Sequence, residues 1–233
     1  FTVHYRYQEK FSLIKKEIFE EEEYRFETQK TSPLILDCGS YIGLSVLYQK
    51  IRNPLARIIA FEPDPDNLEI LRLNIAANQL EDVTLIPKAV GDYEGKSYLY
   101  REMHGEMPAT CANSILPNLW GDALPYQHIP IQVVRLSNYI NETIDYLKMD
   151  IEGAEEQVVT ELGSKLRLVN QLSIEYHGTT THQKVNSLNR IKDILTKYRF
   201  EVAIESKDVN GVFPPEVKSA VNPSLAIIRA KRI

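Results

Sequence analysis

Glycine, cysteine and tryptophan are scarce in this chain of 233 residues, with ten, two and one copies. Cys38 and Cys111 make neither a disulfide framework nor a metal-ligand spacing, so the fold must rest on a hydrophobic core in a reducing compartment; the expectation is cytoplasmic. No apolar run approaches the ~18 residues of a membrane span, so no transmembrane segment is expected. The chain opens on Phe1 rather than Met, which leaves an upstream signal or domain open and makes the lack of a leader weak grounds for localisation. An excess of basic residues is missing too. The formal net charge of -5 argues against a nucleic-acid partner, because phosphate backbones select a basic face. There is no internal repeat and no low-complexity linker. What remains is ordinary globular composition, 43% hydrophobic and 25% charged, at a length that suits one α/β domain.

With glycine so sparse, two glycines in one turn carry information. Leu34 to Ser45 reads Leu-Ile-Leu-Asp-Cys-Gly-Ser-Tyr-Ile-Gly-Leu-Ser: a buried strand, a tight turn through Gly39, Ser40, Tyr41 and Gly43, and a helix start. Amides at such a helix start can face a polar ligand, and Asp37 sits at the strand's carboxyl end, where open α/β sheets bind ligands. The spacing differs from the Gly-x-Gly-x-x-Gly of dinucleotide sites. An acid before the first glycine suits a cationic amino group better than a pyrophosphate, which points to S-adenosylmethionine. A second apolar strand, Ile58 to Phe61, ends in Glu62-Pro63. Glu62 falls about 20 residues past the glycine turn, where nucleotide-binding βαβ units place the acid that holds ribose hydroxyls. The plain alternatives are a tight turn and a solvated charge at a strand end.

Along the chain, Val3, Tyr5 and Tyr7 alternate like a short strand, and Phe11 to Arg25 has helical spacing. The acidic run Glu20 to Glu23 reads as a solvated face, and Tyr24 and Phe26 as core in preference to a cover on the cofactor mouth. Residues 1–30 are expected to form a strand-and-helix cover over a domain of residues 31–233. Helices are expected over 44–51 and 65–78, the second with proline and Asp66 in its first turn. With strands at 34–38, 57–61 and 83–87 they make a β-α-β-α-β run, which builds a parallel sheet covered on both faces. Residues 89–92 and 97–100 read as a hairpin. Residues 101–130, with four prolines and no clear period, read as a substrate-facing lid. A short strand at 131–134 precedes strands at 146–150 and 171–176, helices at 151–162 and 183–197, and a closing antiparallel pair at 200–205 and 225–230. The fold class is α/β: a mostly parallel seven-stranded sheet with an antiparallel last strand and helices on both faces.

Taken together, Asp37-Cys-Gly39-x-x-x-Gly43, Phe61-Glu62-Pro63, Ala89-Val90-Gly91 and Lys148-Met-Asp150-Ile-Glu152-Gly153-Ala-Glu155 resemble the FkbM family of S-adenosylmethionine-dependent methyltransferases, over roughly residues 24 to 205. The resemblance implies a Rossmann-like methyltransferase fold, a cofactor site that includes Pro63, Ala89 and Asp150, and O-methylation of a hydroxyl on a sugar, glycan or small natural product. One departure is that the glycine turn, commonly Gly-Ala-Asn in the family, is Gly39-Ser40-Tyr41 here.

Methyl transfer to oxygen needs a held acceptor and a group that takes its proton. Asp150, Glu152, Glu175 and His177 fall at the carboxyl ends of the fourth and fifth strands. His177 is the expected base because it titrates nearest neutrality, with Asp150 orienting the acceptor or the cofactor ammonium. Two other readings stand beside these: a His merely hydrogen-bonded at a strand end, and Asp150 and Glu152 as helix caps. An oxygen-rich cluster also suits a divalent ion, but no crowded carboxylate motif demands one and no metal ligand is assigned. Lys148 is unusual in a central strand and should pair with Asp37 or Glu175. The competing functions are a nicotinamide-dependent oxidoreductase on a similar fold and a non-catalytic cofactor-binding module.

Overall fold

A computed structural model describes residues 1–104, 107–108, 113–121, 125–209, 213 and 215–233. Its main sheet has seven strands: β1 (Leu34–Cys38), β2 (Arg57–Phe61), β3 (Val83–Ile86), β8 (Ile144–Met149), β9 (Val169–Gly178), β10 (Phe200–Lys207) and β11 (Ser224–Arg232). The spatial order is β10-β11-β9-β8-β1-β2-β3. All neighbours pair in parallel except β11, which runs antiparallel to both β9 and β10. This is the doubly wound α/β sheet read from the pattern. The chain winds one way through β2 and β3 and the other way through β8 and β9, so the switch point lies between β1 and β8, where such sheets bind ligands.

The central strands are buried at every position, β1 as Leu-Ile-Leu-Asp-Cys and β8 as Ile-Asp-Tyr-Leu-Lys-Met. One face packs against α4 (Glu155–Leu162) and α5 (Leu188–Lys197) through Leu36, Leu147, Val158, Ile174 and Ile191. The other packs against α2 (Leu44–Arg52) and α3 (Pro65–Ala77) through Ile35, Val46, Ile58 and Leu71. Residues 183–187, expected as the first turn of the α5 helix, precede it, and Val185 is exposed.

The N-terminal segment corrects three expectations. Residues 1–7 form no strand. Their extended backbone is held instead by α3 side chains: Asn74 exchanges hydrogen bonds with the backbone of His4, and Asn78 with that of Thr2. The helix of residues 11–25 is shorter, α1 (Gln8–Lys15) followed by one π-helical stretch to Glu20. The acidic run is not all solvated, because Glu23 turns inward and is 5% exposed. Phe26 stacks on Tyr146 with ring centroids 4.6 Å apart.

A second sheet replaces the expected hairpin. β4 (Ala89–Gly91) and β5 (Gly95–His104) do not pair with each other. Both flank β7 (Tyr126–Arg135), β4 in parallel and β5 antiparallel, with β6 (Met107–Pro108) on the outer edge of β5. The reason is the apolar alternation of β7, whose Ile131 and Val133 are covered only when Ala89 lies on one side and Leu99 on the other. Pro130 lies exposed within β7 opposite Tyr98, a proline position sheets tolerate. The flanks of the expected 101–130 loop are therefore strand. Residues 105–106, 109–112 and 122–124 of that loop lie outside the described residues. A further helix, α6 (Pro215–Val221), packs its Val217 and Val221 on Trp120.

Gly39 is the tightest point of the switch. Its φ is +78°, and a Cβ there would sit 1.7 Å from the carbonyl oxygen of Asp150. Gly39→Ala combines a disfavoured backbone with a backbone clash, so it should cost at least about 3 kcal/mol. The measurement is the urea midpoint at unchanged m-value; a midpoint within error of wild type would mean that the β1–β8 turn is not packed this way.

Candidate functional site

Lys148 stands in register with Asp37 on the neighbouring strand. Its ammonium donates to the Gly39 carbonyl at 2.5 Å and to Asp150 Oδ2 at 3.2 Å, and lies 3.6 Å from Asp37 Oδ1. Of the two partners expected for it, the structure gives Asp37, and it adds Asp150 in place of Glu175. Burial lowers the Lys148 pKa, but Asp150 and Asp37 outweigh it and hold it above the ordinary lysine value. Asp37 is thereby turned into the protein. Its Oδ2 accepts from Ser45 at 2.5 Å.

A cavity of about 440 Å³ opens at the carboxyl ends of these strands. Of the residues expected at a cofactor, Gly39, Ser40, Tyr41, Glu62, Pro63, Ala89 and Asp150 line it, and so does His177. Asp37 and Gly43 do not. Asp37 acts through Lys148 and Ser45. Gly43 supplies the left-handed turn before α2, where a Cβ would strike Leu71 at 2.4 Å. Glu62 is fixed at the wall: its Oε2 accepts from the Tyr41 amide at 2.8 Å and its Oε1 from the Asp64 amide at 2.9 Å. Burial, with the Asp64 charge adding to it, pushes its carboxyl up to about 8 against those two amides.

The other end of the cavity is a network of charges. His177 lies within β9 rather than after it and is 5% exposed. Its Nδ1 is 3.1 Å from Glu155 Oε1; its Nε2 is 3.4 Å from Glu152 Oε2 and 3.9 Å from Asp150 Oδ1. Asn186 steadies this pair, donating to Glu155 Oε2 at 2.6 Å and to the His177 carbonyl at 2.9 Å. Trp120 meets the imidazole edge-on, with centroids 6.0 Å apart. Tyr24 donates to Glu175 at 2.9 Å, and Lys207 gathers Glu17, Glu23 and Glu175 within 3.1 Å. Among the described residues, Asp150, Glu175 and His177 bring ligand atoms within 4.8 Å of one another, a set able to hold a metal ion. Tyr24 and Lys207 already occupy Glu175, and Lys148 occupies Asp150.

Asn186 and Lys207 carry no sequence signal as site residues; Glu155 carries one as the last acid of the Lys148–Glu155 string, Trp120 as part of the 101–130 segment, and Tyr24, expected as core, joins the cavity wall. Asn186 and Lys207 reach the site from distant segments that no local pattern connects.

Burial disfavours charge on His177, yet Glu152, Glu155 and Glu175 outweigh it and raise its pKa well above the ordinary histidine value. Glu152 is itself raised by burial. Whichever of the two carries the proton, the pair keeps at neutral pH one that the unfolded chain releases. The folded state then binds more protons than the unfolded state between about pH 4.5 and 8, so stability falls as pH rises through that window. Glu62, raised to about 8, adds in the same direction. Thermal midpoints from pH 5 to pH 9 should decline, and His177→Gln should flatten the decline; midpoints that rise toward pH 9 would contradict this charge state.

The site fits a cofactor with ribose hydroxyls and a cationic amino-acid end: Glu62 faces the cavity fixed by two amides, and the turn at Gly39 brings backbone to its floor. The methyltransferase FkbM domain family matches residues 37–202. Methyltransferase 1 of Beauveria bassiana is 26% identical over 225 residues, spanning 88% of this chain and 86% of that one. Methyltransferase sdnD of Sordaria araneosa is 30% identical over 180 residues, 63% of this chain and 67% of its own. The crystal structure of methyltransferase FkbM from Methylobacillus flagellatus KT shares the fold, with a TM-score of 0.56 at 17% identity over 91% of this chain and 46% of that one. The oxidoreductase and the non-catalytic module fall with this match: the chain belongs to the FkbM methyltransferase domain family, and it is a methyltransferase whose cofactor is S-adenosylmethionine.

Proposed function

We propose that this methyltransferase modifies a hydroxyl oxygen of a sugar, glycan or other small natural product. The observation that carries the reading is the proton-sharing cluster of His177, Glu152 and Asp150 on the cavity wall. An alcohol needs such a proton acceptor as its oxygen attacks. S-adenosylmethionine supplies a methyl made electrophilic by its sulfonium.

Cofactor-side binding falls to Gly39, Ser40, Tyr41, Glu62, Pro63, Ala89 and Asp150. Gly43 shapes the turn, and Asp37 holds Lys148 and Ser45 in place. At the acceptor end Asp150 orients the hydroxyl and His177 takes its proton. The His177–Glu152 pair already holds a proton at rest, so the imidazole acts as a base only when that proton lies on Glu152 or has been given up. Positive charge entering the cavity favours this loss, because it competes for the carboxylates that raise His177.

The N-terminal segment, residues 1–30, acts as a cover on the methyltransferase domain of residues 31–233, and Leu13, Ile14 and Ile18 give it an apolar wall toward the cavity. Residues 101–130 act as the acceptor-side lid, to which Asn113 and Ile115 contribute cavity wall. Two further readings have support. The formal charge of -5 favours a small acceptor over nucleic acid. The free thiol of buried Cys38 suits the cytoplasm. No helix among the described residues is long and apolar enough to cross a membrane.

The test is a mass-shift screen of hydroxylated sugars and small metabolites with S-adenosylmethionine, then turnover of wild type and His177→Gln with and without chelator. His177→Gln should lower turnover by roughly 10²–10⁴-fold and leave S-adenosylhomocysteine binding intact. A fully active, chelator-insensitive variant would remove His177 from the mechanism. Wild-type activity abolished by chelator would instead assign Asp150, Glu175 and His177 to a metal. Methylation of amines alone would overturn the hydroxyl acceptor.

A further inference from the structure

Arg101 lies on β5 in the second sheet, and it does not line the cavity. Its guanidinium is nevertheless nearly buried, with the side chain 8% exposed. Its Nη2 sits 2.5 Å from both carboxylate oxygens of Asp64, and its Nη1 donates to Asp66 at 3.0 Å. Asn113, from the same insert, donates to Asp64 Oδ2 at 2.7 Å.

Asp64 is 1% exposed and occupies the cap position of α3, where its Oδ1 accepts from the Asp66 amide. Its own amide donates to Glu62 Oε1. A continuous path of charge-assisted hydrogen bonds thus runs from the second sheet, through Asp64, to the carboxylate at the cofactor wall. A buried aspartate cap needs a partner for its carboxylate. Arg101 supplies that partner, and it does so with a planar fork that also sets the direction of the loop. The Pro63 turn lies between Asp64 and Glu62, so little slack separates the clamp from the ribose acid.

We propose that Arg101 is a positioning residue for the cofactor: it locks Asp64, and through Asp64 it aims Glu62 at the ribose hydroxyls. The insert that faces the acceptor is by this route also a determinant of cofactor affinity. Losing the clamp leaves the Asp64 charge buried beside Glu62 without compensation, so the loop shifts outward and takes the Glu62 amide contacts with it.

The proposal rests on Glu62 as the ribose ligand, and a double-mutant cycle separates the two claims. The readout is the dissociation constant of S-adenosylhomocysteine for wild type, Arg101→Gln, Glu62→Gln and the double variant, with the thermal midpoint of each recorded. Each single variant should bind about tenfold or more weakly. The double variant should bind no more than about twofold more weakly than Glu62→Gln, because Arg101 acts only through Glu62. Arg101→Lys keeps the charge and the fold but lacks the fork, and it should fall between wild type and Arg101→Gln. At saturating cofactor, Arg101→Lys should keep its kcat within about threefold while its KM for S-adenosylmethionine rises. Glu62→Gln with wild-type affinity would overturn the ribose assignment and the relay together. Glu62→Gln weakened, but with Arg101 variants unchanged or their losses multiplying with it, would overturn the relay alone. If Arg101→Gln does not fold, the cycle is run with Arg101→Lys and the same outcomes decide.

Discussion

A lysine ammonium buried between two strands governs this molecule. Lys148 lies on β8 at the switch point, and its charge is balanced by Asp37 across the β1 seam and by Asp150 at its own strand's end. Removing Lys148 would leave the buried Asp37 carboxylate without its cation, which costs about 3–5 kcal/mol. The same ammonium bonds the carbonyl of Gly39. The backbone turn at the cavity floor is therefore held by the ion group, and that turn closes only because Gly39 has no Cβ to strike Asp150. Strand order, glycine and ion group form one constraint seen from three sides.

Charge balance then explains the acceptor end. Glu17, Glu23, Glu175, Asp150, Glu152 and Glu155 converge there on Lys148, Lys207 and His177. Carboxylates outnumber cations, and burial does not tolerate the surplus. Part of it is neutralised by protons, which is why Glu23 and Glu152 are raised. A site built this way favours ligands that bring positive charge, and a sulfonium cofactor with an ammonium does. It also makes the N-terminal segment part of the electrostatics. Lys207 joins Glu17 and Glu23 of that segment to Glu175 on β9, so the wall of the cavity and the state of the cluster are set together.

What could be read from the chain follows from the range of the interactions involved. Residues 34–87 were legible because each strand and helix there is specified within its own window: the apolar run of β1, proline and Asp66 in the first turn of α3, two glycines at one turn. The Lys148–Glu155 string was legible as a motif. Residues 89–135 misled, because the apolar alternation of β7 was cut by Pro130 and its two flanking partners lie far off in sequence. The short strand expected at Val3, Tyr5 and Tyr7 failed for a related reason. Its alternation is real, yet its backbone partners are the side chains of Asn74 and Asn78, which no periodicity reveals.

The cavity divides along the same line. Its cofactor half is made largely of backbone: amides of Tyr41 and Asp64 on Glu62, a glycine turn, and carbonyls fixed by Lys148. Backbone sites need particular residues only where geometry demands them, at glycines and at the acids they hold, so they leave short signatures. The acceptor half is made of side chains from α1, the insert, β9 and β10, brought together across up to 190 positions by contacts such as Lys207 to Glu17. Such contacts can be exchanged one by one without disturbing the sheet. The proposed cofactor side is thus written locally, and the proposed acceptor side, His177 included, is written in the tertiary fold. The clamp from Arg101 to Asp64 is where the two halves meet.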